Sequence, residues 1–276
     1  MQMTTLELPS SLVIHDRSGE TAAQPILYAF ALEELLCRAI GKTAPPILHV
    51  WRHPRAFVMG LRDSRLPNAA EANDWLLSQG FDTAVRNSGG AAVPLDLGVV
   101  NVSLLLPKSA GDMEHRKDFD LMVALIRDVM STITNRIDQG EVMGSFCPGE
   151  FDLSVGGRKF CGIAQRRQQH ALSVQAFIIV EGLGEAKASL ARSFYERAAG
   201  SASPNDYPAV APGSMASLSE CLHIELSATR FTDNLVQVMA TKGVKVQSPR
   251  DIPGYPSEDQ IQEMMELLKQ RYAIKV

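Results

Sequence analysis

The sequence has no basic excess. Its 27 Lys and Arg stand against 31 Asp and Glu, giving a formal net charge of -4, and no run of five or more charges occurs. A protein held to nucleic acid mainly through phosphates would carry a basic surplus or stripe, so the composition argues against a nucleic-acid partner. No segment approaches the roughly 20 apolar residues of a membrane span. The opening stretch MQMTTLELPSSLVIHDRSGE lacks a basic region followed by an apolar run and a small-residue cleavage site. Cysteine is sparse: Cys37, Cys147, Cys161 and Cys221 are irregularly spaced and form no metal-ligand pattern. Reduced thiols in a soluble, cytoplasmic protein without a membrane partner are expected. There is no internal repeat, and RNSGGAAV matches neither the dinucleotide nor the triphosphate glycine fingerprint.

What is present is an ordinary globular composition, 276 residues with 45% hydrophobic and 21% charged content, long enough for a sizeable core. Apolar residues at helical spacing predict a helix over Ile26 to Ile40, stopped by Gly41. ILHVW and AFVMG read as two strands joined by a tight connection around Pro54. Asn68 is placed to cap a helix ending near Gly80, and FDTAVR and GVVNVSLLLP read as strands with RNSGGAAVPLD as their connection. A long amphipathic helix is predicted from Asp118 to Ile137. Three strands follow, FDLSV, RKFCGIA and ALSVQAFIIV, then a helix from Glu185 to Ala199 and a Ser- and Pro-rich loop or linker, SASPNDYPAVAPGS. Two closing helices run from Ser227 to about Lys242 and from Ser257, where Gln260 completes a capping box and Ile261, Met264 and Leu268 form the buried stripe. Strands grouped between helices, without regular alternation, point to an α/β (α+β) domain with a mixed sheet and flanking helices. One domain is expected, with a core at about 26–200 and a helical extension at about 214–276 packed on it.

The stretch GSFCPGEFDLSVGGRKFCG, Gly144 to Gly162, carries the chemistry. Gly156-Gly157 suits a two-residue hairpin loop, because both positions tolerate the positive φ angles such turns require. Uninterrupted pairing would set Ser154 opposite Lys159, Leu153 opposite Phe160 and Asp152 opposite Cys161. Asp152, Ser154, Lys159 and Cys161 would then share one face. Cys147 precedes the hairpin in a loop shaped by Pro148 and Gly149, where a thiol can be exposed. A nearby cation raises the nucleophilic thiolate fraction, and Lys159 is placed to supply that charge or to hold an acyl carbonyl oxygen. Cys37, Cys161 and Cys221 read as structural. The six histidines are scattered and offer no clear base. Arg86, beside the glycine pair, is a candidate for contact with a substrate or partner, whereas Gln165-Arg166-Arg167 reads first as a solvated turn.

Read together, VRNSGGAAVPLDLGVVNVSLL and DLSVGGRKFCGIAQRR resemble the two signature regions of the lipoate-protein ligase and octanoyltransferase family, whose catalytic fold is shared with biotin-protein ligases. The resemblance spans roughly Leu27 to Ala199. It implies that Arg86, Ser88, Gly89 and Gly90 line the acyl pocket, that Lys159 contacts the acyl carbonyl, and that Gly162 lies beside the substrate. Ligases continue with a third glycine and a histidine before the aspartate; this chain has Ala91 and Leu95 ahead of Asp96. That departure, with the CPG-x-[FY]-D-L-S arrangement at Cys147 to Ser154, is most similar to the cysteine-dependent branch. The implied reaction takes an octanoyl group from the glycine cleavage system H protein onto Cys147, then passes it to apo lipoyl domains of 2-oxoacid dehydrogenases. It needs no cofactor, neither nucleotide nor metal. Arg86, Arg166 and Arg167 are candidate contacts to these carrier domains. The rivals are acyl carrier protein as donor, an ATP-dependent lipoate ligase, and a catalytically silent carrier-binding protein.

Overall fold

The computed structural model describes residues 7–20, 24–40, 42–109, 111 and 114–274. The chain runs through β1 (Val13–Arg17), α1 (Leu27–Ala39), β2 (Ile47–Trp51), β3 (Arg55–Met59), α2 (Ala69–Ser78), β4 (Asp82–Val85), β5 (Val93–Asp96) and β6 (Val99–Pro107). It continues with α3 (His115–Met130), β7 (Asp138–Gln139), β8 (Leu153–Val155), β9 (Arg158–Arg167), β10 (Ala171–Ile179) and α4 (Gly184–Ala198). Last come α5 (Leu218–Leu222), α6 (Ala228–Thr241), β11 (Lys245–Val246) and α7 (Glu258–Arg271).

Eight strands form one sheet in the order β11-β1-β2-β6-β10-β9-β8-β7, and β4-β3-β5 form a smaller one. β1 pairs in parallel with both β2 and β11, while β6 and β10 lie antiparallel to their neighbours. The expected mixed sheet with flanking helices is therefore present. Both faces of the central strands are covered, so their alternation separates two cores instead of core from solvent. Val100, Val102 and Leu104 of β6 and Val174 and Ile178 of β10 pack with Ile126 and Val129 of α3 and Phe231 and Leu235 of α6. Each such side chain contributes about 1.5–3 kcal/mol on burial. The intervening residues, Asn101, Ser103, Gln175 and Phe177, face the other side, where α1 and the smaller sheet enclose the cleft described below.

Several expectations shift. β2 and β3 are joined tightly, but they enter different sheets. The connection RNSGGAAVPLD contains β5, which pairs with β3. Asn68 occupies the N-cap of α2 without a side-chain cap bond; its backbone N–H donates to Ala198 O at 3.0 Å. α3 begins at His115 and stops at Met130, because Ser131 turns its hydroxyl onto Asp128 O at 2.7 Å and Ile133 and Thr134 both bond Met130 O. An unforeseen short helix, α5, starts on a capping box between Ser217 and Glu220. The capping box at Ser257 and Gln260 is present as expected, and α7 buries Ile261, Met264 and Leu268. No described helix is long and apolar enough to cross a membrane.

Candidate active site

Gly156 and Gly157 take φ of 58° and 76°, the paired positive angles of a tight hairpin turn between β8 and β9. Val155 pairs with Arg158 and Ser154 with Lys159, but Leu153 pairs with Cys161, leaving Phe160 as an extra residue. This bulge corrects the expected faces. Cys161 sits opposite Ile178 in the core beneath α3 and α6, whereas the Lys159 ammonium lies 5.5 Å from the centre of the Phe177 ring on the cleft side. Lys159 is fully buried. Its Nζ donates to Phe146 O at 2.9 Å and Cys147 O at 2.6 Å, and pairs with Asp152 Oδ2 at 2.8 Å. Asp152 also accepts from the Gly149 N–H at 3.0 Å, so one carboxylate and one ammonium clamp the Cys-Pro-Gly turn from both ends.

Cys147 is 6% exposed, not the open thiol the loop suggested. Its φ of 48° is left-handed, a conformation a non-glycine residue adopts at a cost of roughly 1 kcal/mol or more. The preceding segment is braced by the SASPNDYPAVAPGS loop, where Ala211 N–H and Ser214 Oγ both donate to Gly144 O at 2.7 Å. That orientation aims Sγ at Arg86 and the glycine turn. Arg86 Nη2 lies 3.1 Å from Sγ and the Ala91 N–H nitrogen 3.3 Å, and the same Nη2 donates to Ala91 O at 2.6 Å. The cation beside the sulfur is thus Arg86. Gly90, at φ of 91°, leaves no room for a side chain: a Cβ would stand 2.7 Å from Sγ and 2.3 Å from Arg86 Nη2.

A second network fixes that turn. Asp63 accepts from the Gly60 N–H at 2.7 Å and the Tyr195 hydroxyl at 3.1 Å, and Tyr195 in turn accepts from the Ala92 N–H at 3.1 Å. Burial pushes Asp63 up to about 6 against these donors and the Arg86 charge. Burial also pushes Asp152 up to about 6, opposed mainly by Lys159. The thiols of Cys37, Cys161 and Cys221 are raised, chiefly by burial, which suits packing and not nucleophilic chemistry.

Arg86 lines a narrow cleft whose free cavity volume is about 30 Å³. Phe30, Trp51, Val58, Val93, Leu95 and Phe177 make its wall apolar. Phe146, the neighbour of Cys147, stacks on Phe177 at 5.6 Å between centroids and joins nucleophile loop to cleft. The far row is polar: Gln175 donates to the buried Glu33 carboxylate at 2.6 Å, which also receives His49 at 2.9 Å.

Comparison with known proteins shows the family to which the chain belongs. The model of the lipoyl protein ligase A/B catalytic domain matches residues 25–240. The chain belongs to this family. Among curated relatives of this lipoyl ligase-family chain, octanoyl-[GcvH]:protein N-octanoyltransferase of Lysinibacillus sphaericus is 36% identical over 227 residues, 82% of each chain. The protein of the same name from Exiguobacterium sibiricum is 41% identical over 218 residues, 77% of this chain and 79% of that one. A lipoate-protein ligase A bound with ATP superposes with a TM-score of 0.66 at 20% identity, covering 96% of both chains. Protein Ta0514 of T. acidophilum, with bound lipoic acid, gives 0.65 at 17% identity and 95% of both. These two establish the shared fold.

Within the family chain, Cys147, Arg86, Gly90 and Lys159 converge at the loop. Ser88 is buried, with a hydroxyl that makes no hydrogen bond among the described residues. Gly89 is exposed, its N–H 3.4 Å from Gln165 O. Gly162 lies under Phe177, whose ring a Cβ would meet at 2.5 Å. Arg166 forms a bidentate pair with Glu34 at 2.7 and 3.1 Å, and Arg167 pairs with Asp118, so both arginines are bound within the fold and not spread as a solvated turn. Sequence reasoning gave no role to Asp152 and missed Gly60, Asp63 and Tyr195. Of these, only Asp152 carried a signal, its place in the CPG-x-[FY]-D-L-S run.

Proposed function

We propose that the chain is a cysteine-dependent octanoyltransferase of lipoate assembly, acting in the cytoplasm as a single catalytic domain. The Cys147 sulfur attacks the octanoyl amide on a lysine of the glycine cleavage H protein. The C–S bond forms, the C–N bond breaks, and the proton lost by the thiol ends on the departing amine. A lysine of an apo lipoyl domain from a 2-oxoacid dehydrogenase then attacks the thioester and regenerates Cys147. The acyl group never leaves the amide or thioester level, so no nucleotide is spent.

The observation that carries this reading is the placement of Cys147 Sγ between Arg86 Nη2 and the Ala91 N–H, beside the apolar cleft. The names of the curated relatives, which specify GcvH, support the same donor. Incubating the protein without ATP with octanoyl-H protein or octanoyl-acyl carrier protein, and measuring intact mass, tests it. An octanoyl adduct from the former, lost in Cys147→Ser, is expected. An adduct only from acyl carrier protein replaces the donor, activity only with ATP and free acid makes the chain a ligase, and no adduct leaves a carrier-binding protein.

A further inference from the structure

We infer that a polar rung across the main sheet, His49, Ser103 and Gln175 with the Glu33 carboxylate set on it, closes the far end of the acyl cleft and limits the length of chain that Cys147 accepts. The inference rests on the acyl-enzyme reading above and deepens it by assigning the chain-length limit of the same site. Register lines the rung up: His49 of β2 is opposite Ser103 of β6, and Ser103 is opposite Gln175 of β10. One rung nearer the nucleophile lie Trp51, Asn101 and Phe177, and the Phe177 ring stacks on Phe146 beside Cys147. Arg86, Ser103 and Gln175 line one continuous cleft. Two residues of strand separate the rungs by about 6.6 Å, less than the length of an extended octanoyl chain, so its tail reaches the polar row.

The free volume of about 30 Å³ is smaller than an octyl chain, so an entering acyl group makes its room by moving the wall. Which side chains can yield then sets the limit. Phe30, Trp51, Val58, Leu95 and Phe177 exchange one apolar contact for another at little cost. The rung cannot. Glu33 is buried on α1, and its carboxylate accepts from Gln175 Nε2 at 2.6 Å, stands 2.9 Å from His49 Nδ1 and receives the Trp51 N–H at 3.3 Å. His49, with no exposed surface, is held from behind by His15, stacked on it at 5.4 Å and tied to the Tyr255 hydroxyl at 3.0 Å. The Gln175 Oε1 has no hydrogen-bond partner among the described residues, and a hydrocarbon tail offers it none. A chain two methylenes longer than octanoyl would have to part Gln175 from Glu33. Burying two methylenes is worth roughly 15-fold in apolar surroundings, and less against an amide and a carboxylate. Breaking a hydrogen bond to a buried charge costs roughly 10- to 150-fold, so the loss wins and decanoyl is refused.

The test measures Cys147 acylation by intact mass in the full chain, with octanoyl-, decanoyl- and dodecanoyl-H protein as donors. Wild type should prefer octanoyl to decanoyl by about tenfold or more. Gln175→Ala removes the amide and opens space beside the rung, and should bring that ratio to about one, with dodecanoyl also accepted. Glu33→Gln keeps the shape but turns the charged bond into a neutral one of about half the strength, and should lower the ratio to about threefold; it decides the matter if Gln175→Ala does not fold. A general disturbance of the fold or of Cys147 slows all donors together and leaves the ratio unchanged, so the ratio alone reports on the rung. The wild-type ratio in both variants, or wild-type protein that takes dodecanoyl as readily as octanoyl, would overturn the inference. Free octanoate and dodecanoate supply an arm that needs no transfer: octanoate should raise the wild-type melting temperature more than dodecanoate does, and Gln175→Ala should reverse the order. If wild-type protein takes no octanoyl group from H protein, the function reading fails instead, and the order of the two free acids still tests the rung.

Discussion

Asp63 and Tyr195, 132 positions apart in the chain, meet in a 3.1 Å hydrogen bond beneath the glycine turn. Through the Gly60 and Ala92 N–H groups the pair fixes both ends of the wall that faces Cys147.

The raised Asp63 makes stability depend on pH. Its carboxyl stays protonated in the folded chain up to about 6, whereas an aspartate in water titrates near 3.8. Between those limits the folded state binds the extra proton, so the contribution is complete below about pH 4 and lost as pH rises through 6. At 1.36 kcal/mol per pKa unit it amounts to at most about 3 kcal/mol. Asp152 acts in the same direction. Urea unfolding between pH 4.5 and 7.5 should show a shallower fall of stability with pH in Asp63→Asn than in wild type; parallel curves would refute the assignment.

Gly90→Ala should disable the site more than the fold. The new Cβ would crowd Sγ and Arg86 Nη2 at a positive φ. Displacement by about 1 Å is expected to cut acylation roughly 100-fold. Rates from intact-mass time courses, set beside melting curves, check this.

Asp152→Asn should cost about 3 kcal/mol, because it leaves the buried Lys159 ammonium without its counter-charge. The double variant Asp152→Leu with Lys159→Met removes both charges and should recover most of that stability while acylation remains impaired. Urea midpoints of single and double variants measure the coupling directly.

Ser257→Ala removes the N-cap of α7, whose hydroxyl accepts from the Gln260 N–H. A loss of about 1 kcal/mol is expected, with no change in acylation rate, since α7 packs on α1 away from Cys147. Hydrogen exchange should show the first turn of α7 opening earlier than in wild type.

The sequence by itself determined the elements whose signals are local. Periodicity placed α1, α6 and α7, the Ser257 cap marked a helix start, and Gly156-Gly157 specified a turn that few other residues can adopt. The resemblance of its two motif regions to those of the family also brought Arg86, Gly90, Cys147 and Lys159 under consideration together. Tertiary structure decided what those residues face. VIHDR carries no clear alternation and becomes β1 because β2 and β11, some 200 residues apart in sequence, flank it. β5 forms because β3 offers it an edge. The bulge at Phe160 turns Lys159 away from Cys161, and no period-two count contains it. The thiol is buried because Gly144 is tied to Ala211 and Ser214 and because Lys159 and Asp152 grip the loop from below. A local pattern fixes which torsion angles a segment prefers; the direction of a side chain, and the charge it meets, depends on which distant segments close around it.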